Sequence, residues 1–260
     1  ILSGGNLVAQ GRFLEFLFED DGNNLLFKLK EQLLHHFEIF MRNERNSNRR
    51  TRRTVTQARR SQSGLFSSLT TIDEHKEEGR TSMETCTKIL RFIQLLFEGH
   101  NLALQNYLRD QTNSQGVSRS KNFNFISFMG EMLRQYSGIL SEDNAMLGHQ
   151  LLDTLIDSVQ GPCHENQLAL TRAKIVDSCM DILEHKFEKF YAIRQRHSIQ
   201  SAYIQRQCSQ LLLSLLEGQE TSEFHERVAN NLEFDLIRDR LISIYNEFVE
   251  VGLGMVYEKN

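Results

Sequence analysis

The stretch Asp157-Ser-Val-Gln-Gly-Pro-Cys-His-Glu-Asn-Gln167 holds the one proline of the chain. Gly161 suits the end of a helix, Pro162 forbids its continuation, and the polar residues behind it suit the start of another. The stretch therefore reads as a corner between two helices. Cys163, His164 and Glu165 carry reactive groups at that corner. Structural zinc needs four nitrogen or sulfur ligands, usually as two short-spaced pairs, and no second pair exists. Adjacent residues also diverge, and a cysteine nucleophile needs a base beside it in space. These three residues read as the start of the next helix.

Working outward, one proline and no tryptophan in 260 residues is unusual. Proline breaks helices, so its near absence leans to an all-α fold. The length allows one large domain or two small ones. With 40% hydrophobic and 25% charged residues, most of the chain can close around a core. The net charge of −4 gives no global pull toward nucleic acid. Cys86, Cys163, Cys179 and Cys208 lie far apart without a C-x-x-C pair, which predicts reduced thiols in a reducing compartment. No apolar run approaches the roughly 20 residues that span a bilayer. The N-terminus has neither the basic region nor the apolar stretch of a signal peptide. Patterned sequence at both ends predicts a piece of a longer protein.

Helical periodicity runs along the chain. Helices are expected over Asn6–Glu19 and Leu25–Arg42, with a turn at Asp20–Asn24 between them. From Arg42 to Arg60 there are eight arginines and one acid, Glu44. That texture reads as a disordered basic linker, a solvated spacer or a contact for an anionic partner. Helices resume near Ser82–Glu98, Asn101–Arg109, Asn122–Tyr136, Ser141–Gln160, Glu165–Arg194, Ile199–Glu217, Ser222–Asn230 and Glu233–Val249. Gly99, Gly138, Gly161 and Gly218 suit helix ends. The expected division is 1–42, a helical end of a preceding segment, 43–81, the linker, and 82–260, a helical domain. Short connections between successive helices give a bundle or an α-solenoid, and no clean sequence period separates the two. Leu211–Leu216 reads as core, and Phe123, Phe125 and Phe128 as packing. No phosphate-binding glycine loop or nucleophile–base pair can be named, so an enzyme is not expected.

Two acids stand out. Glu98 directly precedes Gly99, and Asp157 lies in the last turn before Gly161. Both sit at helix C-termini, where the macrodipole disfavours an acid by roughly 0.3–1 kcal/mol. Two such acids invite a cation if the fold brings the two ends together. The alternative, two separate exposed acids, costs little in salt water and stays open at this point.

Ile89–Asn113 (ILRFIQLLFEGHNLALQNYLRDQTN) resembles a signature of the intracellular calcium-release channels, the inositol trisphosphate and ryanodine receptors. Gln160–Gln167 (QGPCHENQ) is similar to the inositol trisphosphate receptor form of a second signature. Leu211–Gly218 (LLLSLLEG) is similar to the ryanodine form of a third. Ser3–Asp20 resembles the helix that precedes this region in both. The resemblance implies an armadillo-like α-solenoid of antiparallel helices, the RIH-associated region of a large homotetrameric channel. It implies a cytosolic place at an intracellular membrane such as the endoplasmic reticulum. There the segment contacts other domains of the same channel and passes ligand and calcium binding to a pore outside these residues.

The resemblance also implies a regulatory Ca2+ site. Two solenoid carboxylates and a backbone carbonyl of another domain hold the ion, and the matching carboxylates here are Glu98 and Asp157. The family has a glutamate in an L-T-E-Y setting where this chain reads Leu155-Ile-Asp-Ser158. Aspartate keeps the charge and is one methylene shorter. Calcium accepts six to eight oxygens in flexible geometry, so a site with altered affinity is expected, and a weak one in this chain alone. The competing expectation is a free-standing helical scaffold without a pore.

Overall fold

Asparagine starts three helices of the computed structural model. Helix α1 (Leu7–Leu17) begins at Asn6, whose side chain accepts the Ala9 N–H at 3.1 Å. Helix α4 (Leu102–Arg109) begins at Asn101, which accepts the Leu104 N–H at 3.1 Å. Helix α5 (Phe125–Ser137) begins at Asn124, which accepts the Ser127 N–H at 2.8 Å. Each cap satisfies an amide that the helix cannot pair internally. The structure describes residues 5–57, 67–112, 115, 117, 122–184, 194–219, 222–239, 241–242 and 245–246.

The other helices are α2 (Asp20–Gln57), α3 (Ser67–Phe97), α6 (Ala145–Val159), α7 (His164–Arg172), α8 (Ile175–Glu184), α9 (Arg194–Leu216) and α10 (Ser222–Ala229). A short 3-10 turn, Glu142–Asn144, leads into α6. Residues 234–239 are also helical. The fold is all-α and built from repeated helical units. Helix α3 packs on α6, and α6 on α9; α4 packs on α7, and α5 on α8. So α3–α4–α5 and α6–α7–α8 are two stacked three-helix units. Helices α1 and α2 lie before them and α9 after them.

The row α3, α6, α9 makes the centre of the core. Leu90, Ile93, Leu96 and Phe97 of α3 are fully buried, as are Leu147, Leu151, Leu152 and Leu155 of α6 and Ile204, Cys208, Leu211 and Leu215 of α9. Intervals of three and four residues put each set on one face. The Leu211–Leu216 run is thus mostly core, with Leu213 alone in water at 69% exposure. Phe123 and Phe125 stack edge-on at 4.6 Å, and Phe128 packs against the same core.

Several expected boundaries move. Asp20–Asn24 is the first turn of α2, not a turn between helices. Asp20 and Asp21 there face the positive end of the helix dipole. The linker expected over 43–81 is helical at 43–57 and at 67–81. Arginine is a good helix former, so a run of it does not stop a helix. Gly79 lies buried against Asn43, and Arg80 pairs with Glu77 and Glu84 one turn to either side. Residues 58–66 lie outside the described residues. Helix α3 crosses the expected boundary at 81/82. The expected helix Glu165–Arg194 breaks at Lys174, which adopts φ +57°; 185–193 lie outside the described residues. Within Glu233–Val249, residues 240, 243–244 and 247–249 lie outside them as well. No described helix is long and apolar enough to cross a membrane.

Pro162 stands at its corner as expected. Gly161 before it has φ +92°, and Cys163 behind it is the N-cap of α7. Corners also stack on one another. A Cβ on Gly161 would lie 2.5 Å from the His100 Cβ, and one on Gly218 would lie 2.5 Å from the Pro162 Cγ. Both positions need glycine twice over, for the left-handed backbone and for space.

Candidate functional site

The corner after each central helix is tied by a buried glutamine from the unit before. Gln10 of α1 donates to the Leu95 carbonyl at 3.0 Å and to the Glu98 carbonyl at 2.8 Å, at the end of α3. Gln105 of α4 donates to the carbonyls of Asp157 at 2.8 Å and Gln160 at 2.9 Å, at the end of α6. Gln167 of α7 donates to the carbonyls of Ser214 at 2.8 Å and Glu217 at 2.9 Å, at the end of α9. Gln10, Gln105 and Gln167 are each no more than 1% exposed. Each stands four residues after its N-cap, Asn6, Asn101 or Cys163. Carbonyls that a helix cannot pair internally are satisfied this way. The ladder fixes how the ends of α3 and α6 lie against each other.

Glu98 and Asp157 sit on those two ends. Glu98 follows the last residue of α3, and its amide donates to the Gln94 carbonyl at 3.1 Å. Asp157 is in the last turn of α6. Gln94 and Arg91 together link them. Gln94 donates its Nε2–H to Asp157 Oδ2 at 2.8 Å. Its oxygen accepts from Arg91 Nη1 and from Gln150 Nε2, both at 2.7 Å. Two donors on the oxygen fix which way the amide points. Arg91 Nη2 also lies 3.1 Å from Glu98 Oε1, and Glu98 Oε2 accepts the Gly5 N–H at 3.3 Å.

Burial pushes the Asp157 carboxyl above the usual carboxylate range. The Gln94 hydrogen bond and His100 act against that, while the negative charges of Asp153 and Glu98 add to it. Positive charge beside Asp157 would offset both the cost of burying its carboxylate and the repulsion from neighbouring acids.

These residues fit a hard cation in part. Carboxylate oxygens suit calcium, and the site lies where two helix dipoles turn their negative ends. Among the described residues no group of three or more His, Cys, Asp or Glu is placed to hold a metal. Glu98 and Asp157 would be two ligands of a shared site, with the rest supplied from outside this set.

The neighbouring reactive trio is a helix start. The Cys163 sulfur faces Asn106 Oδ1 at 3.8 Å, while His164 turns to Gln167 Oε1 at 3.2 Å. Burial pushes the Cys163 thiol up, away from thiolate character. All four cysteines are buried and free.

Reading the sequence for chemistry missed Gln94, Arg91 and the three glutamines. A signal for the ladder exists: GGNLVAQ ending at Gln10 and GHNLALQ ending at Gln105 share G-x-N-L-x-x-Q, and GPCHENQ ending at Gln167 keeps the glycine and glutamine.

The two stacked units and their tied corners define a helical-repeat domain. Residues 80–183 match the family RyR and IP3R Homology associated. The chain is 35% identical over 153 residues to inositol 1,4,5-trisphosphate receptor itr-1 of Caenorhabditis elegans. The match takes in 55% of this chain and 5% of that receptor, so the chain spans a small part of the relative's length. Glu98 and Asp157 both fall inside residues 80–183.

Proposed function

We propose that this chain is a cytosolic regulatory and coupling segment of a ligand-gated intracellular calcium-release channel of the inositol trisphosphate receptor kind, without catalytic activity. The observation that carries the reading is the Gln94 bridge between the ends of α3 and α6, which brings Glu98 and Asp157 into one hydrogen-bonded network. The family match over residues 80–183 supports the channel context.

In this reading Glu98 and Asp157 hold a regulatory Ca2+ with a carbonyl from another domain of the same channel. A bound calcium supplies positive charge that two buried-edge carboxylates cannot get from each other. The chain's own residues do the rest. Gln10 and Gln105 hold the two helix ends in register, and Gln94 aims Asp157. A ligand drawn from a second domain makes site occupancy depend on how the domains sit, and thereby biases their equilibrium. Homotetrameric assembly, an endoplasmic-reticulum-like membrane and an anionic partner for Arg42–Arg60 belong to the same proposal.

The test is made in the full-length protein. With Glu98→Gln and Asp157→Asn together, opening against calcium loses its activating limb. Unchanged activation sinks the reading. A full-length protein lacking about six apolar membrane spans would leave the pore-free scaffold instead.

A further inference from the structure

We propose that Arg91 is a tethered counter-ion of this site, and that its guanidinium must leave Glu98 before a divalent cation is held between Glu98 and Asp157. The inference rests on the reading of that carboxylate pair as a cation site. It concerns what occupies the pair when no metal does.

The guanidinium serves both halves of the pair. Its Nη2 lies 3.1 Å from Glu98 Oε1, and its Nη1 donates to Gln94 Oε1 at 2.7 Å. Gln94 in turn donates to Asp157 Oδ2 at 2.8 Å. One side chain thus neutralises Glu98 directly and braces the amide that satisfies Asp157. A divalent cation on Glu98 Oε1 would stand against the guanidinium at short range, where like charges repel.

Exposure sets which partner moves. The Arg91 side chain is 47% exposed and that of Glu98 19%. The guanidinium has water to swing into, while the carboxylate is held by the corner. The other oxygen of Glu98 accepts a neutral donor, the Gly5 N–H, which brings no competing charge. A half-exposed ion pair is weak, so a divalent ion can displace it. Release of Arg91 also frees one of the two donors on Gln94 Oε1, so occupancy of Glu98 is felt at Asp157.

The experiment titrates calcium chloride alone, by calorimetry, into the full 260-residue chain. Wild type is compared with Arg91→Gln, Arg91→Lys, Glu98→Gln and Asp157→Asn, each first shown by its thermal melt to be folded. Arg91→Gln is expected to bind calcium about two- to fivefold more tightly. Arg91→Lys keeps the charge and is expected to stay near wild type. Glu98→Gln and Asp157→Asn are expected to lose binding. If those two bind like wild type, the carboxylate pair is not the site, and the functional reading falls together with this inference. If they lose binding while Arg91→Gln binds equally or more weakly, the pair stands and the role of Arg91 is overturned. Arg91→Lys binding as tightly as Arg91→Gln overturns it too, because charge is then not what competes.

Discussion

Gln94 and Asp157 meet across two helices, with the Gln94 Nε2 2.8 Å from Asp157 Oδ2. This bond is the side-chain link that joins the end of α3 to the carboxylate of α6. Gln94 lies one turn before Glu98, and through Arg91 the bond joins the two acids in one network. Predictions about this corner follow from its electrostatics and from its packing.

Asp157 carries a charge that its surroundings resist. Burial raises its carboxyl above the ordinary range, with Asp153 and Glu98 adding to the rise against Gln94 and His100. A raised value in the folded state means that folding favours the protonated form. This group's contribution to stability is fully present below the unfolded carboxylate range and is lost as pH rises through the raised value. Asp157→Asn imitates the neutral form and still accepts from Gln94. It should melt higher than wild type at pH 7 without calcium, and the difference should vanish as pH falls below about 4. Circular-dichroism melts at the two pH values check this. A variant that melts lower at pH 7 contradicts it.

The glutamine ladder makes a second prediction. Gln105→Leu leaves the carbonyls of Asp157 and Gln160 without their donor. The cost is about 1–3 kcal/mol for carbonyls left unsatisfied in a buried corner. Melting should fall by about 2–4 °C for each kcal/mol in a chain of this size. Gln167→Leu should cost as much, through the carbonyls of Ser214 and Glu217. A solvent-exposed glutamine would show no such loss.

Glycine substitutions separate a corner that needs glycine from one that does not. At Gly161, φ is +92° and an added Cβ would lie 2.5 Å from His100 Cβ. Gly161→Ala should cost about 1–3 kcal/mol. Gly138 caps α5 with φ −75°, and an added Cβ would find its nearest neighbour at 3.9 Å. Gly138→Ala should be neutral or stabilising by about 0.4–1 kcal/mol. Denaturant unfolding of both variants is the comparison.

That contrast shows what was legible in the sequence. The corner at Gly161 and Pro162 reads directly, because proline and glycine state their backbone needs locally. Gly138 looks the same on paper, yet it ends a helix in ordinary right-handed geometry. Asp20–Asn24 imitates a turn in composition, and only its place at the start of α2 makes those acids favourable. The arginines after Arg42 read as a solvated linker because charge patterning carries no sign of a neighbouring helix. The break at Lys174 leaves no glycine or proline to announce it. Glu98 and Asp157 are legible as acids at helix ends. Their partner Gln94 is not, since a single polar residue in an amphipathic helix looks like surface until α6 covers it. The repeated corner escapes a search for a period because Gln10 and Gln105 are further apart than Gln105 and Gln167.

Thiol chemistry gives a fourth prediction. Burial pushes the Cys86 thiol up to about 12 and raises that of Cys163, while a hydrogen bond with Cys179, and then burial, raises that of Cys208. At pH 8 the native chain should show no rapidly reacting thiol toward a chromogenic disulfide, and all four cysteines should react once it is denatured. A fast native thiol at Cys163 would reopen the nucleophile reading of that corner.

The central claim is that Glu98 and Asp157 are ligands of one cation. Carboxyl carbon resonances of a 13C-labelled chain, followed through a calcium titration, test it most directly. The Glu98 and Asp157 side-chain signals should shift along one shared binding curve, while those of Glu77 and Asp239 on the surface stay in place. Shifts confined to one of the two acids, or two curves with different midpoints, would contradict a shared site.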